Sequence, residues 1–553
     1  MTASVWTPNT FVSSLYGRTP AEIAAGVTPV DFSYYTGDIR RYGAAVNGTT
    51  DDADAIDAAL AVFAAGGVPV YLPGVAYVSR SISYSSSRGL QMYGDGWHCG
   101  LKGAAAGTYI VLLFQGVAYA AIEGVHLSNF SLDGNNGGQL DAGLLQLNNC
   151  TGFLVDHLKI GNTTKASGSS GVNGITASAG TPGGVGPTGV IRSSRVYATS
   201  KAGINWTSES VGVVIEDNDI LDMTGNGTAP GIQVNGGAGA RVVNNRVSGT
   251  QGPGIYVNVD SLGTEPLDTI INGNIVKDCG GTSLTEGDGI RITAASTYVG
   301  RIIATNNSVS GCGTATNGGS GIFAINTKNI VLEGNICENN AYDGIRLQAC
   351  SNVAVGVNRV TGNNRAAATY AGGLQILGVC SELSIIGLNT SDAKAIKTQS
   401  YGIILNASST LDSLTIESNH LEGNLLGPML LNQGATKMRL SFVAAKQTTD
   451  GSAQTLQYIT LPDESAMSLH VKAVGKKSDG SDRALYTREG LFYRDGGTAT
   501  QQGATTTIGT DIESNAAWGG LSLGVSSNLA LAQVTGVAAT TIDWRAHITV
   551  QTV

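Results

Sequence analysis

An all-β chain built around a β-helix, a solenoid of stacked coils, is the fold this sequence predicts, and three observations carry the prediction. The parallel sense of its strands follows from the general rule for such connections and not from the repeat count. Glycine makes up 77 of 553 residues while only 13% are charged. That balance suits many short strands joined by tight turns. A glycine followed by Ile or Leu recurs at Gly143, Gly174, Gly203, Gly231, Gly254, Gly289, Gly321, Gly344, Gly373 and Gly402, spaced 23 to 35 residues apart. In phase with it runs an asparagine marker, Asn218, Asn245, Asn274, Asn307, Asn335, Asn358, Asn389 and Asn419, spaced 23 to 33 residues apart. Self-similarity at this period marks a repeat in which one coil cannot bury its own apolar face and must stack on the next.

The elements follow in chain order. Thr50 is the expected N-cap of a short amphipathic helix with Asp51 and Asp52 at its positive end and Ile56, Ala59, Leu60 and Phe63 on one face. Such a helix would cover the open end of the solenoid. Val68 to Pro73 then starts the first coil. Each Gly-Ile strand alternates, with Ile290 and Ile292 inward around Arg291, and Ile345 and Leu347 inward around Arg346. The marker asparagines read as structural, because Asn tolerates a left-handed backbone at a bend and stacked amides bond between coils. After Gln433 both markers stop. Ile542, Trp544, Ala546, Ile548 and Val550 alternate with polar residues as in a half-buried antiparallel strand, and Ser478 to Asp482 forms a turn. A C-terminal antiparallel β-sandwich is therefore expected over 434–553, after a β-helix over 37–433 and a lead-in over 1–36.

Charge and cysteine usage narrow the function. A formal net charge of −9 argues against nucleic acid as a partner. No basic segment leads into an apolar core at the N-terminus and no apolar run approaches the ~18 residues of a membrane span, so neither signal peptide nor membrane insertion is expected. Seven scattered cysteines, without metal-site or disulfide spacing, are expected as buried thiols. No metal and no cofactor is expected.

The stretch from Gly37 to Pro73, GDIRRYGAAVNGTTDDADAIDAALAVFAAGGVPVYLP, resembles the opening of the pectate-lyase-like right-handed β-helix found in many phage tailspikes. The preceding TPAEIAAGVTPVDFSYYTGD resembles the lead-in of tailspikes that attach to a virion, and HVKAVGKKSDGSDRALYTREGLFYRDGG resembles a C-terminal module of several phage tail proteins. The resemblance implies a right-handed solenoid, a homotrimer, attachment to a phage tail or baseplate protein through the N-terminus, and a C-terminal module that trimerises or contacts sugar. It implies a virion protein acting outside the bacterial cell on a surface polysaccharide. Lys476, Lys477, Arg483, Arg488 and Arg494 of the last module form either a basic patch or an ordinary solvated face.

Alignment on the glycine marker stacks one outward position into a row: Asn205, Gln233, Tyr256, Arg291, Phe323, Arg346, Gln375 and Ile404. Rings pack on apolar sugar faces, and Arg and Gln bond hydroxyls or carboxylates, so the row reads as a glycan groove. Insertions at Lys165 to Asn173, Gly281 to Asp288, Gly313 to Ser320 and Asn363 to Gly372 would wall it. Asp288 and Asp343 each precede a marker glycine, with Glu286 close by. Two coils separate them, about 10 Å between backbones. Hydrolysis of a glycosidic bond needs one protonated carboxyl and one carboxylate, so Asp288, Asp343 and Glu286 are the candidate acids and bases. In the bland reading each Asp simply caps a bend. Asp260, Glu265 and Asp268 form a rival acidic cluster. Asp133 reads as a structural turn residue and Trp206 as core.

Three functions stay open. The leading one is an endo-acting depolymerase of capsule or O-antigen, with hydrolysis favoured over elimination, in which Tyr256, Arg291 or Arg346 would act as base. The others are an adhesin that binds without cleaving and a secreted polysaccharide lyase.

Overall fold

The computed structural model describes residues 16–552, apart from 106–109, 117–120, 140–142, 166–170, 180–185, 225–228, 260–266, 282–286, 296–297, 317, 369–370, 407–409, 433 and 515–517. The chain divides into two compact units, residues 1–287 with 297–300, and residues 288–296 with 301–553.

In the first unit each coil contributes a strand to each of three parallel sheets. Gly189–Arg192, Arg195–Tyr197 and Ile204–Val211 make one coil, stacked on Val213–Glu216, Asp219–Leu221 and Ile232–Ala238 of the next. The apolar residue of each alternation points inward, and Ile191, Val196, Ile204, Trp206, Ile215 and Ile220 are all fully buried. Trp206 packs on Phe153, ring centroids 5.3 Å apart, which bears out its reading as core.

The helix Ala53–Gly66 packs Phe63 against Tyr84 of the strand Ile82–Tyr84. Its cap differs from expectation. Asp52 occupies the N-cap, makes no capping bond, and instead accepts from the amides of Ala45 (2.6 Å) and Val46 (3.1 Å). Thr50 lies in the strand Asn47–Asp51, because Asp52 ties the end of the preceding loop to the helix start. Ahead of it a short helix, Pro20–Ala24, carries a complete capping box between Thr19 and Glu22. Glu22 and Arg41 are both fully buried and paired at 2.5 Å, and Tyr42 donates to Glu22 at 3.1 Å. That pair fixes the lead-in to the start of the solenoid; removing one partner would strand the other charge.

The asparagines form the expected amide stacks. In the first unit Asn218 donates to Asn245 (3.0 Å) and Asn245 to Asn274 (3.1 Å); in the second, Asn307 donates to Asn335 and Asn335 to Asn358, both at 2.9 Å. The left-handed backbone, however, falls on the residue before the marker: Asp217, Asn244 and Asn306 have φ near +55°, and Gly273 and Gly334 have φ of 68°. The bend is made one position earlier, and the marker itself is a buried strand-edge residue whose amide satisfies backbone groups. The marker glycines are close-approach positions; a Cβ on Gly344 would overlap Val360 Cγ1.

In the second unit the strand Ala435–Thr448 pairs in parallel with Thr410–Glu417 and antiparallel with Ile542–Thr552, so the chain passes from coil to sandwich within one strand. Ile542–Thr552 then pairs with Ser465–Lys477, which pairs with Arg483–Arg494. The second sheet joins Ala453–Thr460, Leu529–Thr535 and Gly520–Ser526. Trp544 lies between Tyr486 (6.0 Å) and Trp518 (6.2 Å), and its indole donates to Thr448 at 3.0 Å. All seven cysteines are buried and free.

Candidate functional site

The second unit builds its candidate site from successive coils. Strands Ile290–Ala294, Ile322–Ile325, Ile345–Gln348, Leu374–Leu377 and Tyr401–Leu405 pair in parallel, and their register aligns Arg291, Phe323, Arg346, Gln375 and Ile404 as the marker spacing requires. The Phe323 ring lies between two guanidinium groups, 5.4 Å from Arg291 and 5.0 Å from Arg346. Such contacts hold the planar cations in place over the ring face. The row is more closely packed than an open groove: Phe323 and Gln375 are 8% and 5% exposed, and Ile404 is fully buried. Ile404 therefore ends the row as an apolar side chain.

Both aspartates sit at the strand entry and reach one coil onward. Asp288 Oδ1 accepts the Ser320 amide at 2.8 Å, and its Oδ2 lies 3.8 Å from Arg291 Nη1. Asp343 Oδ1 accepts the Gly372 amide at 2.8 Å. Asp343 Oδ2 is buried with no partner among the described residues, as is Arg346 Nε. Burial, the largest influence, pushes the Asp343 carboxyl up to about 7. The negative charge of Asp288 adds to the rise, while the Gly372 amide and the Arg346 guanidinium oppose it. Two carboxyls in contrasting settings result, one against an arginine and one favouring its proton near neutrality. This is the asymmetry that separates acid from base in glycosidic hydrolysis.

In the first unit Asn205, Gln233 and Tyr256 align across neighbouring strands, each half-buried. Asn205 Oδ1 is buried without a partner among the described residues. Glu286 lies outside the described residues, as do Asp260 and Glu265 and part of each of the four predicted insertions (166–170, 282–286, 317 and 369–370); Asp268 is described and half-buried. Asp133 holds a turn, its Oδ1 accepting from the Asn135 amide (2.7 Å) and Asn162 Nδ2 (2.8 Å). In the C-terminal strands the cations are engaged locally: Lys477 pairs with Asp482, Arg488 grips Asp511 through two bonds of 2.6 and 2.7 Å, and Arg494 donates to the carbonyls of Gly497 and Leu461. Three of the five cations are thus held by neighbouring groups. Each Asp does cap a backbone amide, as the bland reading of the sequence has it, but which amide it takes, Ser320 or Gly372, leaves no residue-type signal.

Stacked parallel coils with an asparagine spine define a class, the right-handed β-helix proteins. The family model described as a right-handed beta helix region matches residues 142–316 and 230–443, together more than half of the chain, and the chain belongs to that family. Among solved structures it is similar to the Dettilon tailspike protein (14% identity, 93% of this chain and 94% of that chain, TM-score 0.46). It is similar also to the tailspike gp61 of Pseudomonas phage phi297 (11% identity, 93% and 98%, TM-score 0.43) and the mannuronan C-5 epimerase A-module of Azotobacter vinelandii (18% identity, 72% and 98%, TM-score 0.42). No curated protein matches the chain in sequence.

Proposed function

We propose that this chain is a phage tailspike that binds a bacterial surface polysaccharide and cleaves it within the chain by hydrolysis. The observation that carries the reading is the Asp288–Asp343 pair. Asp343, with its proton retained up to about pH 7 and Oδ2 unpartnered among the described residues, is the general acid for the leaving glycosidic oxygen. Asp288, held near Arg291, is the base that activates water. Two coils separate their backbones by about 10 Å and both side chains reach one coil onward in the same direction, a separation just beyond the ~6.5–9.5 Å of an inverting pair and far beyond that of a retaining one. Arg346 and Gln375 would hold sugar hydroxyls or carboxylates beside Phe323. The phage setting, trimer and N-terminal attachment rest on the resemblance of the Gly37–Pro73 stretch and its lead-in.

A second reading is favoured by a specific observation: each aspartate caps a backbone amide of the adjoining coil, as a purely structural Asp would. The protein would then be an adhesin. Incubation with capsule and O-antigen preparations separates the two. Shortened glycan without the ultraviolet absorbance of an unsaturated uronide supports the hydrolase, shortening with it points to a lyase, and tight binding without shortening makes the chain an adhesin.

A further inference from the structure

A second cluster of polar and aromatic side chains lies in the early coils of the first unit, on a different sheet from the Asn205 row. It encloses a cavity of about 200 Å³, lined among others by Trp97, His98, Lys102, Asp133, Lys159 and Tyr197. Its origin is legible in the strand register. Lys102 stands opposite Asp133, Asp133 opposite Gly161, and Gly161 opposite Tyr197. Gly161 leaves a gap in that row, and the Tyr197 ring folds across it, with Cδ1 and Cε1 at 2.8 and 2.9 Å from where a Cβ would stand. A Cβ at 161 would also overlap the Tyr197 carbonyl oxygen, so glycine lets the two strands and the ring approach this closely. Lys159, one strand position earlier, brings its ammonium to 5.3 Å from the Tyr197 ring centroid.

The polar groups of this cavity keep bonding capacity that the described residues do not use. Asp133 commits Oδ1 to two donors, and no protein donor among the described residues takes Oδ2. Neither Lys102 nor Lys159 is paired with a carboxylate among the described residues. Trp97 is 43% exposed, yet its orientation is fixed, because its indole nitrogen donates to the His157 carbonyl at 2.8 Å. Two ammonium groups and one carboxylate give this spot a local positive excess on a chain of net charge −9. An anion is drawn there against the field of the whole protein.

We propose that this cavity is a monosaccharide subsite for an acidic sugar, a hexuronate. The Lys102 and Lys159 ammonium groups take the sugar carboxylate, Asp133 Oδ2 accepts ring hydroxyls, and the exposed Trp97 face packs on the apolar face of the pyranose. The volume suits a single ring, being below that of pockets for larger ligands. The subsite does not rest on the hydrolysis reading.

Trp97 provides the readout. Among the described residues Trp206 and Trp544 are buried and Trp518 is 8% exposed, so with Trp97→Phe as the control for any signal from Trp6, a ligand stacking on Trp97 is read from tryptophan emission. The full chain is titrated with sodium glucuronate, glucose and sodium acetate at constant ionic strength. The expected result is saturable quenching by glucuronate, lost in Trp97→Phe, and weakened about tenfold in Lys159→Met, the worth of one charge-assisted bond. Acetate quenching as strongly as glucuronate would reduce the cavity to an anion site and overturn the proposal. So would glucose binding as tightly as glucuronate, no saturable change with glucuronate, or an unchanged titration in the Lys102→Met, Lys159→Met double variant. Far-ultraviolet dichroism confirms that the variants are folded, and no cleavage is needed, so the outcome stands apart from that of the hydrolysis experiment.

Discussion

Replacing Asp343 by Asn should make the protein more stable at pH 8 and leave its stability nearly unchanged at pH 4. Asn keeps the oxygen that accepts the Gly372 amide at 2.8 Å, has almost the same volume, and cannot ionise. Burial pushes the Asp343 carboxyl from its ordinary 3.8 up to about 7. Between those values the folded chain keeps a proton that the unfolded chain has released. The stabilisation from this protonated group is therefore full below about pH 4 and is lost as pH rises through about 7. At about 1.4 kcal/mol for each pH unit, ionised Asp343 costs the folded state up to ~4 kcal/mol above neutrality. At pH 4 the protonated carboxyl that the amide replaces already carries a donor hydrogen, so the change costs little there, and ~2–4 kcal/mol is the expected benefit at pH 8. Guanidinium unfolding of wild type and Asp343→Asn, followed at pH 4, 6 and 8, measures it. A difference in midpoint that stays constant from pH 4 to 8 would refute a buried, proton-retaining Asp343.

Further outcomes follow from the same contacts. Asn335→Ala removes four bonds, to Ala304, Asn358, the Asn307 amide and Asn307 Nδ2, and leaves buried groups unsatisfied; a loss of about 2–4 kcal/mol in chemical denaturation is expected. Phe323→Ala frees both guanidinium groups and should weaken glycan binding roughly tenfold by surface plasmon resonance, with unchanged affinity counting against the site. Trp544→Ala empties the space between Tyr486 and Trp518 and should cost ~3–5 kcal/mol, seen as earlier unfolding of the C-terminal strands.

The solenoid was legible because its cause is periodic. Inward Ile and Val at every second position, the glycines that give way to Val side chains, and the stacked asparagines all recur once per coil, so spacing alone recovers the register of Arg291, Phe323 and Arg346. Features made by a single contact were not recovered. The sequence offered Thr50 as a cap because hydroxyls suit that position, yet Asp52 is drawn to two loop amides. The left-handed residue sits before the marker asparagine because the amide stack, rather than the bend, demands Asn. In the candidate site the residue types and their alignment could be read, but not the near-complete burial of Phe323 and Gln375, which depends on what packs over them. Asp133 holds the turn its sequence context predicts, whereas the cavity beside it has no sequence signal, because it depends on how closely the coils approach at Gly161.

The most direct test compares wild type, Asp288→Asn and Asp343→Asn on one susceptible polysaccharide, measuring chain shortening and binding in the same samples. If the two carboxyls carry the hydrolysis, each variant keeps its affinity and loses about a hundredfold or more in the rate of shortening. Cleavage by both variants at close to the wild-type rate would contradict the account and leave Asp288 and Asp343 as caps of the coil.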